Sequence, residues 1–346
     1  MDTIDNQSQE KRYLRQKQTM EKTVNLFIGI WGDDINSDAI QDWFRQMTFF
    51  SPNKMAYVAL PKNSRKKYRE DIFFKALEKS INHKDHCITY IEINEDDWYL
   101  RNYMDYCDTC ILETSIKLDV WNEKKEEVID KYERLFIRLG GCFGFATNSF
   151  DCLCIQNPND VHVYERYNID ATGLPLIPNE MPGMWVDRFD VSSLPGHYVH
   201  YGEIIFTTAE YMWFGPDFDH FLSKKTIEEF KDCEENVNLG AGFRRVCLWP
   251  SLEDYDNPIF RKRQKKIRSD LKMDETICNM SYYRKDQALP NSDVHFEIGE
   301  FEHGGTMRII SYVDRNDHRV SRSKAHAKFI QELYENDVIW QGKEKL

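Results

Sequence analysis

The strongest constraint in the sequence is an alternation across residues 112–120. Leu112, Thr114, Ile116, Leu118 and Val120 alternate with Glu113, Ser115, Lys117 and Asp119. A period of two places the sets on opposite faces of one strand, and a charged face behind an apolar one marks an antiparallel strand with one wet side. The chain is therefore expected to build antiparallel or mixed sheet.

Other segments fit around that strand. An apolar run at 24–31 reads as a buried strand ended by Gly32. Asn36 or Ser37 then caps a helix with Ala39, Ile40, Trp43, Phe44 and Met47 at three-four spacing. Residues 55–60 form a second strand stopped by Pro61, 64–81 a helix, and 87–93 a third strand. Residues 123–139 read as the best-marked helix, with Asn122 as its cap and Gly140 as its stop. Short strands at 143–146 and 152–155 complete the first half.

Proline density then changes the reading. Pro158, Pro175, Pro178, Pro182 and Pro195 interrupt residues 156–200, and proline resists both helix interiors and central strands. Beyond them come strands at 202–208 and 243–249, a helix at 226–233, and a helix opened by Asn257-Pro258 and running to about Met273. Strands at 294–300 and 306–313 form a hairpin around His303-Gly304-Gly305, and an amphipathic helix at 324–334 follows. The expected fold class is α+β, with two mixed or antiparallel sheet domains and helices packed on their faces. The expected division is a mobile tail at 1–22, a domain at 23–155, a partly packed connection at 156–200, and a second domain at 201–346.

Charge and composition bear on partners. The chain of 346 residues has a net charge of −12 and contains 8 Trp, 18 Tyr and 21 Phe, ample material for packed cores. Net acidity disfavours general attraction to nucleic acid. No apolar stretch is long enough to span a membrane, and Met1 to Lys22 lacks the apolar core of a signal peptide. With nine cysteines in no framework spacing, a cytoplasmic protein with reduced thiols is expected.

Four constellations have chemistry to weigh against ordinary structure. His83, His86, Cys107 and Cys110 offer nitrogen and sulfur for zinc, whereas the histidines could equally end a helix. Asp33 and Asp34, with Glu92 on a neighbouring strand, could hold magnesium for phosphoryl transfer or nucleic-acid processing, although Asp is equally at home in a turn. The helix after Asn257 carries a net +6, leaving −18 elsewhere. Its Arg261, Lys262, Lys265 and Lys266 are candidates to meet a partner, or a solvated face. Trp213 and Phe214 lie in the densest aromatic block, which suits an interface or a core. No cofactor is expected.

Three blocks carry a resemblance: Phe27-Ile28-Gly29-Ile30-Trp31-Gly32, Leu139-Gly140-Gly141-Cys142-Phe143-Gly144-Phe145, and Met212-Trp213-Phe214-Gly215. In these the chain resembles, in a general way, the cytoplasmic immunity proteins of bacterial polymorphic toxin systems. That resemblance implies a non-enzymatic protein-binding module that neutralises a cognate toxin by direct binding, and the −18 balance outside the basic helix points to a basic toxin as the partner. The alternative is the metal-dependent enzyme using Asp33 and Asp34.

Overall fold

The apolar run that begins at Val24 forms the centre of the molecule. In the computed structural model, the described chain excludes residues 1, 31–35, 60–61, 83–87, 96–99, 107–109, 157–160, 178–187, 192, 202–203, 217, 219–221, 277–293, 299–300, 319, 321–324 and 335–336. The first elements are α1 (Asp2–Glu21), β1 (Thr23–Ile30), α2 (Ser37–Gln46), β2 (Lys54–Ala59), β3 (Lys62–Lys67) and α3 (Glu70–Asn82). Next come β4 (Ile88–Asn94), β5 (Arg101–Tyr106), β6 (Cys110–Lys117), α4 (Leu118–Arg138), β7 (Phe143–Asn148), α5 (Ser149–Gln156) and α6 (Val161–Tyr167). Four short strands follow: β8 (Leu176–Ile177), β9 (Arg188–Phe189), β10 (Val199–Tyr201) and β11 (Ile204–Phe206). The remainder is β12 (Tyr211–Phe214), α7 (Lys224–Glu229), β13 (Glu235–Gly240), β14 (Phe243–Cys247), α8 (Pro258–Asp270), β15 (Val294–Ile298), β16 (Met307–Val313), β17 (Ala327–Tyr334) and β18 (Asp337–Lys345).

Ten strands pair in the order β13-β14-β12-β7-β1-β6-β5-β4-β2-β3, and β15-β16-β17-β18 form a second, four-stranded sheet. Every ladder in both sheets is antiparallel. The α+β class expected from the sequence is thus what the chain adopts. The large sheet crosses the proline-rich segment: β12, from the second half, pairs with β7, from the first, setting Met212 opposite Phe145. The expected boundary at 156–200 therefore separates neither sheets nor cores.

Each face of the large sheet has its own apolar layer. Val24, Leu26 and Ile28 of β1 pack under α2, α3 and α4 with Trp43, Phe73 and Phe136. Trp43 is fully buried, and its indole N–H donates to Asn102 Oδ1 at 2.7 Å, which satisfies a donor that would otherwise cost about 1–3 kcal/mol. On the other face Phe27, Phe145 and Met212 meet Ile205, Ile267 of α8, and Met307 and Leu333 of the four-stranded sheet.

Several local expectations change for tertiary reasons. The polar side of β6 is wet only at Lys117: Glu113 and Ser115 are each 1 % exposed. Residues 118–120 belong to α4, whose backbone leaves helical geometry at Lys124, and Asn122 donates to Glu253 at 3.1 Å instead of capping. Residues 152–155 are helical, because Asn148 Oδ1 accepts from the amides of Phe150 and Asp151 at the start of α5. Residues 62–67, expected to run into a helix from Ser64, pair with β2 as an edge strand. The segment at 327–334 is β17, not a helix. The N-terminal segment forms α1, and Met20 packs with Phe150 and Tyr167, so it is not a free tail.

Candidate functional site

One row of side chains crosses the whole large sheet. Arg65, Ala56, Glu92, Tyr103, Glu113, Phe27, Phe145, Met212, Val246 and Asn236 lie opposite one another in successive ladders. Opposed residues share a face. From Phe27 through Val246 the row is apolar and covered, and the Phe27 and Phe145 rings stack at 4.4 Å. Between β3 and β6 it is polar. Two residues along, Lys67, Lys54, Asn94 and Arg101 form a second polar row on the same face.

This polar half is recessed as a groove of about 500 Å³ whose lining includes Lys54, Arg65, Lys67, Glu92, Asn94 and Glu95. The cations are exposed, whereas Glu92 is buried and accepts from Asn94 Nδ2 at 3.1 Å. Asn94 Oδ1 and Glu95 Oε2 are shielded from water and meet no donor among the described residues. Deeper in, Glu113 Oε2 pairs with Arg101 at 3.1 Å, and the Arg101 guanidinium lies 4.5 Å over the Tyr103 ring. Burial and the neighbouring Glu113 carboxylate push the Tyr103 hydroxyl well above its ordinary range, so it stays protonated. The groove thus combines buried acceptors with exposed cations. On the outer side of β3 no described strand is paired, leaving a row of backbone donors and acceptors beside the groove.

Glu92 was legible in the sequence as a candidate, whereas Lys54, Arg65, Lys66 and Lys67 were not. The available signal was the run Lys62-Asn63-Ser64-Arg65-Lys66-Lys67. It lacks apolar side chains, so hydrophobic periodicity is silent there. Asp33 and Asp34 lie outside the described residues, as do His83, His86 and Cys107. Cys110 is fully buried in the layer under the helices, where burial pushes its thiol upward. Among the described residues no group of three or more His, Cys, Asp or Glu side chains is placed to hold a metal ion.

The partner-binding candidates divide. Trp213 and Phe214 are 0 % and 2 % exposed in β12, so they are core, and Trp213 donates to Glu133 at 2.9 Å. The basic side chains of α8 largely serve the interior. Arg261 binds both carboxylate oxygens of Asp151 and reaches Gln264 at 2.8 Å. Arg268, 3 % exposed, holds Asp274 and His197, each at 2.6 Å. Lys266 pairs with Asp270 at 2.6 Å. Lys262 and Lys265 alone of the four named candidates are exposed without a described ion pair. Of these cations, Arg261 meets a buried acid, Asp151, whose side chain is 5 % exposed.

The core around that acid includes Glu210, which is fully buried beside Thr147 and whose carboxylate oxygens meet no donor in strict hydrogen-bonding geometry among the described residues. Desolvation first, and the nearby Asp151 carboxylate second, raise it to about 8. Desolvation also pushes Asp151 upward, against the opposing pull of Arg261.

Compared with protein-family models, curated proteins and solved structures, the chain matches none.

Proposed function

We propose that the chain is a non-enzymatic protein-binding module that holds an acidic, extended segment of a partner along β3 and the adjoining groove. The observation that supports this reading is the open edge of β3, with no described strand paired beyond it, and the exposed Arg65 and Lys67 that share a face with the exposed Lys54 of the neighbouring β2. An incoming strand supplies backbone N–H donors, and its acidic side chains meet the cations. Lysine on an edge strand also serves to keep sheets from pairing. That purpose does not account for the groove beside the edge, where Lys54, Arg65 and Lys67 share one face.

Toxin neutralisation by direct binding is the role we propose within this class. It takes its support from the three resembling blocks, whose described residues lie largely on the adjacent central strands β1, β7 and β12. The partner segment it assigns to β3 is acidic, so a basic toxin would contribute a local acidic strand to this contact. Among the described residues no helix is long and apolar enough to cross a membrane. The alternative enzyme reading rests on Asp33 and Asp34, and no observation here favours it.

The test places a photo-crosslinking residue at Lys54, on the groove face, in cells of the native host. One protein should be captured in stoichiometric yield through an acidic segment, and Arg65→Glu with Lys67→Glu should abolish capture. Equal capture by that charge-reversed variant, or attachment through a basic segment, refutes the reading.

A further inference from the structure

The four-stranded sheet holds a buried acid beneath the turn that joins β15 to β16. Glu332 of β17 is 0 % exposed. Its Oε1 accepts from His303 Nδ1 at 3.0 Å and from Arg308 Nε and Nη2 at 2.9 and 2.6 Å, and its Oε2 accepts from the His303 backbone N–H at 3.1 Å. Donors gathered in this way keep a carboxylate ionised. Glycine at 305 makes room for it, since a Cβ there would lie 2.9 Å from Glu332 Cβ.

The arrangement fixes the tautomer of His303. An ionised carboxylate only accepts, so Nδ1 carries the proton and, in the neutral imidazole, Nε2 carries a lone pair. Nε2 has no hydrogen-bonding partner among the described residues, and the side chain is 34 % exposed. Trp340 of β18 stacks on the ring with centroids 4.1 Å apart and planes 6° from parallel. Pinning the turn to Glu332 uses only Nδ1 and the backbone N–H, which leaves the second ring nitrogen without a structural task.

The neighbours select the chemistry of that nitrogen. Arg308 shares Glu332 Oε1 with the imidazole, so a guanidinium stands beside the ring, where it repels a metal cation and attracts an anionic group. When a neutral imidazole attacks phosphorus through Nε2, both ring nitrogens are substituted and the ring becomes a cation. The buried carboxylate on Nδ1–H and the face of Trp340 both stabilise that charge as it develops. We infer that His303 is a phosphoryl-acceptor site, modified at Nε2 by a donor with a labile phosphorus–nitrogen bond. The Nε2–phosphorus bond forms as the donor's phosphorus–nitrogen bond breaks. The leaving nitrogen keeps the bonding pair, takes a proton from solvent and departs as an amine, while the Nδ1 proton stays in its bond to Glu332. Nothing is oxidised or reduced.

Potassium phosphoramidate, applied to the full chain near neutral pH and followed by phosphorus NMR and peptide mass spectrometry, tests this. His303 should react first, and at Nε2. His162 and His318 are controls within the same molecule: their side chains are 58 % and 77 % exposed, beside carboxylates that water reaches. Glu332→Gln should slow reaction at His303 roughly ten-fold relative to His318. Trp340→Leu should slow it about two- to five-fold, and it carries the comparison if circular dichroism shows that the buried glutamine prevents folding. Reaction at His303 no faster than at His318, addition at Nδ1, or an unchanged rate in either folded variant overturns the inference.

Discussion

Glu210→Gln gives the most direct reading of the buried acidic core. Glu210 is fully buried, and desolvation shifts its acidity from an ordinary 4.5 to about 8. The folded chain therefore binds a proton that the unfolded chain releases between those pH values. Because the unfolded state holds fewer protons there, stability falls as pH rises. For a shift of this size, folding loses on the order of 3 kcal/mol between pH 5 and pH 8 through this one group. Glutamine has no such dependence. Its amide adds a cost of its own, but that cost is the same at every pH, so the informative quantity is the change in the mutational effect between the two conditions. Urea unfolding of both proteins at pH 5, 6.5 and 8 measures it. The substitution should become progressively more favourable as pH rises, by about 3 kcal/mol over the range. A mutational effect that is flat with pH would refute the assignment of Glu210 as a neutral acid in the folded core.

Three further outcomes follow from other contacts. A Cβ at Gly144 would lie 2.0 Å from the Tyr132 hydroxyl, which donates to Phe27 O; Gly144→Ala should cost about 2–4 kcal/mol in chemical unfolding. Arg261→Met strands the buried Asp151 carboxylate and should cost about 3–5 kcal/mol, with Asp151→Asn in the same chain recovering much of it in a double-mutant cycle. Glu332, held by His303 and Arg308, is lowered to about 2. Its stabilising contribution is complete above its ordinary 4.5 and lost as pH falls towards 2, so Glu332→Gln should flatten that limb of an acid-unfolding curve.

Elements signalled by contacts a few residues apart were legible in the chain. Asn36 and Asn257 accept from amides at the starts of α2 and α8, as their types and positions indicate. Gly140, with φ of 62°, ends α4 in the left-handed conformation its sequence position implies. β17 was not legible in this way. Ile330 and Leu333 are three residues apart and both buried, a helical spacing, because both faces of the strand are covered: Leu333 lies with Met307 and Ile309 in the second apolar layer, and Ile330 opposes the buried Ile310 on the other face. β3 was missed for the opposite reason, since it holds its place by backbone pairing and carries no apolar pattern at all.

Taken alone, the chain determined its α+β class, the antiparallel pairing, and the helices that announce their own ends, since these depend on alternation and capping within a few residues. Tertiary structure decided that the two halves share one sheet, that Glu113 and Glu210 are buried, and that the arginines of α8 turn inward to Asp151 and His197. It also brought Lys54, Arg65, Lys67 and Glu92 onto one face. Those outcomes depend on which strands become neighbours, and pairing between residues distant in sequence leaves no periodic mark in either partner.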